Sequence, residues 1–307
     1  MNKKRVLVTG ASGLLGHYLI PILKDWEIVV LGRSEECGIQ CDLEQKKPHF
    51  TDVFPTGFDL VVHAAGTLDN ARAISINLDG TRHLLEGLKE VSVRQFVYIS
   101  STDVYGKNEG ADITEEDHLW SADKVGQSKA LAEEEVRKFC DEMGIICTIL
   151  RPATMFGKGM KGWGQRMAGQ VLVGTYLNVR DADASVSLVT AYDVARLIPL
   201  LAPVGGIYNV TDGLSHSLQD LAMAMGNNRG RAKKPFFLPM KWAKLLGRLG
   251  DRLPLIDRIL DTRELARRTT SLTFSSRKLR EALPDFRFHD TAAVVGRTDT
   301  DFPYEDD

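Results

Sequence analysis

Short apolar runs alternate with longer amphipathic stretches through the first half of the chain. Val6-Leu7-Val8, Ile28-Val29-Val30-Leu31, Leu60-Val61-Val62, Phe96-Val97-Tyr98-Ile99 and Ile145-Ile146-Cys147-Thr148-Ile149-Leu150 are unbroken and rich in β-branched residues, as in strands covered on both faces. Between them, residues 13–24, 72–90 and 121–143 carry helical spacing, the last closed by Gly144 as a stop. This alternation predicts a doubly wound parallel sheet. Pro21, inside the first helix, predicts a kink. After about residue 155 the pattern changes, and Gly157, Gly159, Gly162, Gly164, Gly169 and Gly174 punctuate a loop-rich stretch. A strand–helix unit returns at about 185–201, and Tyr208-Asn209-Val210 reads as a further short strand. The remainder, 211–307, reads as helical and basic up to the acidic Glu305-Asp306-Asp307. No internal repeat or low-complexity segment interrupts the pattern.

At 307 residues, 43% hydrophobic and 26% charged, the chain is about two domain-lengths of ordinary globular composition. A formal net charge of −2 supplies no basic field for nucleic acid. No run approaches the ~18 apolar residues of a membrane span. The basic Met1-Asn2-Lys3-Lys4-Arg5 is followed by too short an apolar run for a secretory signal. Cys37, Cys41, Cys140 and Cys147 are too few for a disulfide scaffold, and Cys37 and Cys41 lack a second pair at zinc spacing, so no metal site is expected. These features point to a cytoplasmic enzyme.

Candidate chemistry begins at Val6-Leu7-Val8-Thr9-Gly10-Ala11-Ser12-Gly13-Leu14-Leu15-Gly16, with glycines at G-x-x-G-x-x-G spacing between a strand and a helix. Glycines permit a tight turn and close backbone approach, and free N–H groups at a helix start favour an anion. Gly10, Ser12, Gly13, Leu14, Leu15 and Gly16 are therefore candidate dinucleotide-phosphate contacts. The competing reading is a plain strand-to-helix turn.

Cys41-Asp42-Leu43, Val62-His63-Ala64-Ala65-Gly66, Asn77-Leu78-Asp79-Gly80-Thr81, Ser100-Ser101-Thr102-Asp103-Val104-Tyr105-Gly106 and Leu150-Arg151-Pro152-Ala153 come next in order, then Tyr192-Asp193-Val194-Ala195 and Tyr208-Asn209-Val210. Together with the loop, over about residues 4–285, this series closely resembles the extended short-chain dehydrogenase/reductase family, which includes NAD(P)-dependent nucleotide-sugar epimerases and dehydratases. The resemblance implies a Rossmann-type domain over 1–155, joined by the unit at 185–201, with a smaller C-terminal substrate lobe from 156–184 and 202–307. It places Asp42 at the adenine with Leu43 beside it, and Ala64, Ala65, Gly66 and Pro152 along the cofactor. Asn77 would brace the central helix, and a homodimer would form through the helices at 72–90 and 121–143.

NAD enzymes usually end the second strand with a carboxylate for the ribose hydroxyls, ~20 residues beyond the loop. Gly32, Arg33 and Ser34 stand there. A guanidinium pairs with a 2′-phosphate, which a carboxylate would repel, so NADP is expected over NAD, with NAD still open. Arg33 as a solvated loop residue is the competing reading.

Asp123-Lys124-Val125-Gly126-Gln127-Ser128-Lys129-Ala130 resembles the family's Tyr-x-x-x-Lys helix, whose two residues share one face. There the tyrosine moves the hydroxyl proton while the lysine lowers its pKa. Lys129 is present, but Val125 takes the tyrosine position and can carry no proton. Ser101 matches the position that hydrogen-bonds the substrate oxygen, with Thr102 beside it. Asp103 resembles the carboxylate of the family's dehydratases, one methylene shorter; its other reading is a cap on the following turn. Tyr105 is expected to pack. Lys124, His118 and His63 are weaker proton-carrier candidates.

In the C-terminal part, Arg151 lies in the Arg-Pro pattern by the family's substrate mouth, and Arg180 resembles a pyrophosphate-binding position; for each, a surface ion pair is the alternative. Lys158, Lys161 and Arg166 lie in the Gly-rich stretch, which could order on substrate. Over residues 236–256, Trp242, Leu245, Leu246 and Leu249 share one helical face and Lys241, Lys244 and Arg248 another. Docking of the apolar face on the protein or a partner is favoured over contact with an anionic membrane surface. The leading expectation is an epimerase, dehydratase or reductase of a nucleotide-linked sugar. The rival is an NADP(H)-binding sensor or assembly module without turnover, and a third reading is a reductase of an apolar carbonyl.

Overall fold

In a computed structural model of the chain, residues 3–180, 182, 184–227, 236–253 and 259–295 are described. The first half runs β1 (Arg5–Thr9), α1 (Leu14–Ile22), β2 (Glu27–Gly32), β3 (Ile39–Gln40), β4 (Phe58–His63), α2 (Gly80–Leu88), β5 (Val93–Ile99), β6 (Gly110–Ile113), α3 (Lys124–Met143) and β7 (Ile146–Pro152). It continues with β8 (Thr154–Phe156), α4 (Trp163–Val173), β9 (Leu177–Val179), β10 (Ser185–Val186), β11 (Leu188–Thr190), α5 (Ala191–Leu201) and β12 (Gly206–Val210). The remainder is β13 (His216–Ser217), α6 (Leu218–Asn227), β14 (Phe236–Leu238), α7 (Met240–Gly250), α8 (Thr262–Thr269), β15 (Leu272–Phe274), α9 (Arg277–Ala282) and α10 (Thr291–Val295).

The five strands read from apolar runs all form, in one parallel seven-stranded sheet ordered β12-β7-β5-β4-β1-β2-β3. Period-two alternation explains its two cores. Val6, Val8, Leu60, Val62, Val97 and Leu150 pack under α1 and α5, while Leu7, Val61, Phe96, Tyr98 and Ile149 pack under α2 and α3. The order of strands reverses between β1 and β4, which opens a crevice at their C-terminal ends.

Several elements differ from the sequence reading. Pro21 does lie inside α1, in its closing turn. The helix expected over 72–90 is a π-helical turn, Ile74–Asp79, followed by α2. The helix from 121 begins at Lys124, and Gly144 does stop it, in the left-handed conformation with Ile145 N–H closing onto the Cys140 carbonyl at 2.8 Å.

β12, assigned by sequence to the substrate lobe, forms an edge of the main sheet against β7. Conversely, β6 leaves the first domain and pairs with β15 in a second sheet, ordered β13-β10-β15-β6. The region after 211 is not only helical, since β13, β14 and β15 lie in it; strands of two or three residues carry no readable period. Among the described residues, no helix is long and apolar enough to cross a membrane.

The helix expected in 236–256 is α7, preceded by β14, while residues 254–256 and the acidic 305–307 lie outside the described residues. It docks by small residues, not by its leucines. Ala243, Gly247 and Gly250 are buried; a Cβ on Gly250 would lie 2.1 Å from the Leu260 carbonyl oxygen. Leu246 is half-buried, whereas Trp242, Leu245 and Leu249 are 57, 48 and 39% exposed, which overturns docking of the apolar face onto this chain.

Candidate active site

The crevice is lined by the segments that leave β1, β4 and β5. Gly10 turns the chain after β1 at φ +75°, and a Cβ there would lie 2.6 Å from the Ala64 carbonyl. Gly16 lets α1 close on the loop, since its Cβ would stand 2.3 Å from the Ala11 oxygen. Gly13 caps α1 without a side-chain acceptor, so the first-turn N–H groups, including those of Leu14, Leu15 and Gly16, remain available to an anion. Ser12 is exposed beside them and Leu15 is buried.

Thr9 joins the first two strand ends: its hydroxyl accepts from Ala65 N–H at 3.1 Å and meets His63 Nδ1 at 2.6 Å. His63 Nε2 lies 2.9 Å from the Thr81 hydroxyl. Burial, with Lys129 nearby, lowers the His63 pKa to about 3. His63 is thus a neutral tie beneath the crevice, which removes it as a proton carrier.

Gly66, Asn77 and Lys129 converge. A Cβ on Gly66 would sit 3.1 Å from both Asn77 Oδ1 and Lys129 Nζ. Asn77 accepts from Thr67 N–H at 2.7 Å, and its amide donates to the Thr67 carbonyl at 3.1 Å and the Ser128 hydroxyl at 3.0 Å. It ties the loop after β4 to α3. Lys129 Nζ donates to the Ile99 carbonyl at 2.7 Å and lies over the Tyr98 ring. Burial lowers its pKa to about 8, against the pull of Glu133 and Asp103.

Ser101, two residues past the end of β5, caps the turn Thr102–Tyr105, its hydroxyl accepting from Asp103 N–H at 3.1 Å and donating to Asp103 Oδ2 at 3.0 Å. The cap is therefore Ser101 and not Asp103. Water reaches the Asp103 carboxylate, yet protein crowds it on its other sides, and this desolvation, with Asp123 nearby, raises its pKa; the Ser101 hydroxyl, Arg267 and Lys129 pull the other way. Thr102 is buried.

Val125 is buried in the first turn of α3, and its N–H donates to Asn70 Oδ1 at 3.3 Å. At the next residue, a Cβ would lie 2.4 Å from the Asp103 carbonyl oxygen, so Gly126 holds α3 directly against the Ser101–Asp103 turn.

Other expected residues sit apart from this cluster. Arg33 is exposed at the end of β2. Asp42 Oδ1 accepts from Glu44 N–H at 3.1 Å, and Leu43 packs on Gly80. Pro152 ends β7 opposite Val210. Arg180 is exposed after β9, its N–H bonded to the Leu238 carbonyl at 2.9 Å. His118, Lys124, Lys158, Lys161 and Arg166 are exposed. Tyr105 packs, as expected, on the Phe274 ring.

Arg151 is no substrate ligand and no surface pair: it is buried and held by Glu133 through Nε–Oε1 at 3.0 Å and Nη2–Oε2 at 2.6 Å, with Tyr105 Oη at 2.9 Å from Nη1. Glu133 also accepts from Ser100, and Tyr105 donates to Asn209 at 2.7 Å. This chain of bonds anchors the segment before Ser101 to α3, β7 and β12. Arg267 on α8 was missed by sequence reasoning. It pairs with Glu264 at 3.3 Å and adds positive potential at Asp103, whereas Arg268 beside it is buried; neighbouring arginines give no sequence sign of which one faces the crevice.

A family model described as NAD dependent epimerase/dehydratase family matches residues 6–211. The chain belongs to this family. It is 29% identical to a GDP-6-deoxy-D-mannose reductase of Pseudomonas aeruginosa, covering 71% of this chain and 78% of that protein. It is 24% identical to a 3-beta-hydroxysteroid dehydrogenase of Mycolicibacterium neoaurum, over 82% of this chain and 80% of the relative. In fold it is similar to RMD from Pseudomonas aeruginosa, solved with NADPH, at a TM-score of 0.71 and 23% identity over 96% of this chain and 97% of the other. The family accounts for the glycine cradle: Gly10, at positive φ with the Ala64 backbone 2.6 Å from a Cβ, has no room for a side chain, and Gly66 keeps the space beside Asn77 Oδ1 and Lys129 Nζ narrow, so the backbone N–H groups at the α1 start and the Lys129 ammonium suit a dinucleotide.

Proposed function

We propose that the protein binds NADP(H) across this crevice and acts as an epimerase, dehydratase or reductase on a nucleotide-linked sugar. The observation that carries the reading is the convergence of Gly66, Asn77 and Lys129 beside the Ser101–Asp103 turn. A bound nicotinamide would supply or accept hydride. The N-terminus of α1 holds the diphosphate, Asp42, Leu43, Ala64, Ala65 and Pro152 line the remainder, and Arg33 favours the 2′-phosphate of NADP over NAD. Lys129 donates to the nicotinamide ribose. Ser101 and Thr102 orient the substrate oxygen, and Arg180 contacts its diphosphate. Asp103, with its raised pKa, exchanges the proton that Val125 cannot. The reductase relative, named for a GDP-linked sugar, supports the substrate class. A homodimer through the outer faces of α2 and α3 fits the same reading.

Val125 supports a second reading, an NADP(H)-binding module without turnover. The two separate in one assay: the natural protein and Val125→Tyr, with NADP(H) and NAD(H), against nucleotide sugars and an apolar ketone, with chromatography to resolve epimers. Turnover by the natural protein that Asp103→Asn abolishes supports the leading reading. Turnover only by Val125→Tyr supports the binding module, and turnover of the ketone alone replaces the sugar reading. Comparable affinity for NADH and NADPH would refute the cofactor choice.

A further inference from the structure

We propose that the outer face of α7 docks on an anionic phospholipid bilayer. At about 100° per residue, α7 divides into three stripes. Ala243, Gly247 and Gly250 face the protein, where Gly247 approaches the Asp261 carbonyl and the helix packs on α8. Trp242, Leu245 and Leu249 form a second stripe, exposed to solvent. Lys241, Lys244 and Arg248 form the third, also exposed, along one border of the apolar stripe. Phe236 and Phe237, on the strand that leads into α7, and Leu253 just beyond it are exposed as well.

This is an exposed apolar stripe bordered by cations. A small-residue face against the protein is the reason: it lets the helix dock without its large side chains, leaving them outward. Buried apolar side chains and a row of Lys and Arg are the two terms that hold a helix in the plane of an anionic interface. Tryptophan suits the headgroup level, with an apolar ring and an N–H donor, and the long basic side chains reach the phosphates while their stems stay in apolar surroundings. A second copy is the poorer occupant, because antiparallel pairing of α7 about a two-fold axis perpendicular to it would bring its cations close to their symmetry mates. The proposal is independent of what the crevice turns over.

The test is flotation of the full chain with vesicles of phosphatidylcholine alone and of phosphatidylcholine mixed with phosphatidylglycerol, at low and high salt. The protein is expected to float with the anionic vesicles and to be released by salt. Each cation near a charged surface contributes roughly a factor of five, so Lys241→Glu with Lys244→Glu and Arg248→Glu should cut partitioning at least about a hundredfold. All three are exposed, and an unchanged thermal midpoint and circular dichroism spectrum would show an intact fold. Anionic vesicles should also shift tryptophan emission to the blue, and Trp242→Phe should remove that shift. The proposal is overturned if the natural protein stays unbound, if the triple variant floats equally well, or if both vesicle types bind alike. It is equally overturned if the patch proves to hold two copies together, with the triple variant monomeric and neither protein floating.

Discussion

Replacing Arg151 by leucine should be among the costliest substitutions in the chain. Arg151 and Glu133 are 3 and 1% exposed, and the guanidinium makes two bonds to the carboxylate and one to Tyr105. Removing it leaves Glu133 as an uncompensated buried charge and Tyr105 without that bond. Loss of one partner of a buried pair costs about 3–5 kcal/mol. The Tyr105 hydroxyl keeps its bond to Asn209 but loses the one it accepts from Arg151, which can add up to about 1 kcal/mol. Urea unfolding followed by far-UV circular dichroism reads this as a lower midpoint at similar slope. The decisive comparison is Glu133→Leu with Arg151→Leu, since exchanging a whole buried pair for apolar side chains is often neutral. The double variant should lose at least about 2 kcal/mol less than the sum of the two singles. Strictly additive singles of under about 1 kcal/mol each would refute the view that this pair anchors the strand before Ser101.

The same geometry sets further outcomes. Ser101→Ala should lower turnover while leaving NADPH affinity nearly intact, and equal turnover would count against its role at the substrate oxygen. Gly10→Ala combines a strained positive φ with contact on the Ala64 backbone, so it should cost about 1–3 kcal/mol and weaken dinucleotide binding, both read by thermal shift with and without NADPH. Because the Lys129 pKa is lowered from 10.5 to about 8, the unfolded chain holds more protons between these values, and stability should rise with pH through that window; Lys129→Met should show less of a rise. His63, lowered from 6.5 to about 3, should not titrate in NMR spectra between pH 5 and 8. Its neutral burial makes stability fall as pH drops below about 6.5, and a midpoint near 6.5 in the folded protein would refute it.

The nucleotide-binding half was legible because five of its strands (β1, β2, β4, β5 and β7) are apolar runs and each of those strand ends carries a short motif. Gly10 could be named from glycine spacing and Gly66, Asn77 and Lys129 from the family resemblance, and the structure brings the last three together. What escaped the sequence was set by contacts between distant residues. Arg151 reads as a free arginine beside a proline until Glu133, eighteen residues earlier on another element, is seen to hold it. β6 is four residues with little apolar content, so nothing local shows that it leaves its domain to join β15. The leucines of α7 carried the stronger apolar signal, but shape decided the docking face: glycine and alanine allow backbone approach that leucine prevents.

The same logic governs the Ser101–Asp103 turn. On the proposed reading, the valine at position 125 takes the place of a proton carrier; it is buried in the first turn of α3, and Gly126 lets that turn meet the Asp103 carbonyl. That reading keeps the scaffold for a tyrosine around a side chain that carries no proton. If the proton now moves through Asp103, the raised pKa of that carboxyl is the property that matters, because it brings the group toward the range where it can both give and take a proton. Lys129 then has two electrostatic duties, holding the ribose and restraining how far Asp103 rises. Lys129→Met should accordingly weaken dinucleotide binding and also shift the acid limb of any activity profile upward. A variant that lost affinity with an unmoved acid limb would separate the two duties and leave Asp103 outside the proton path.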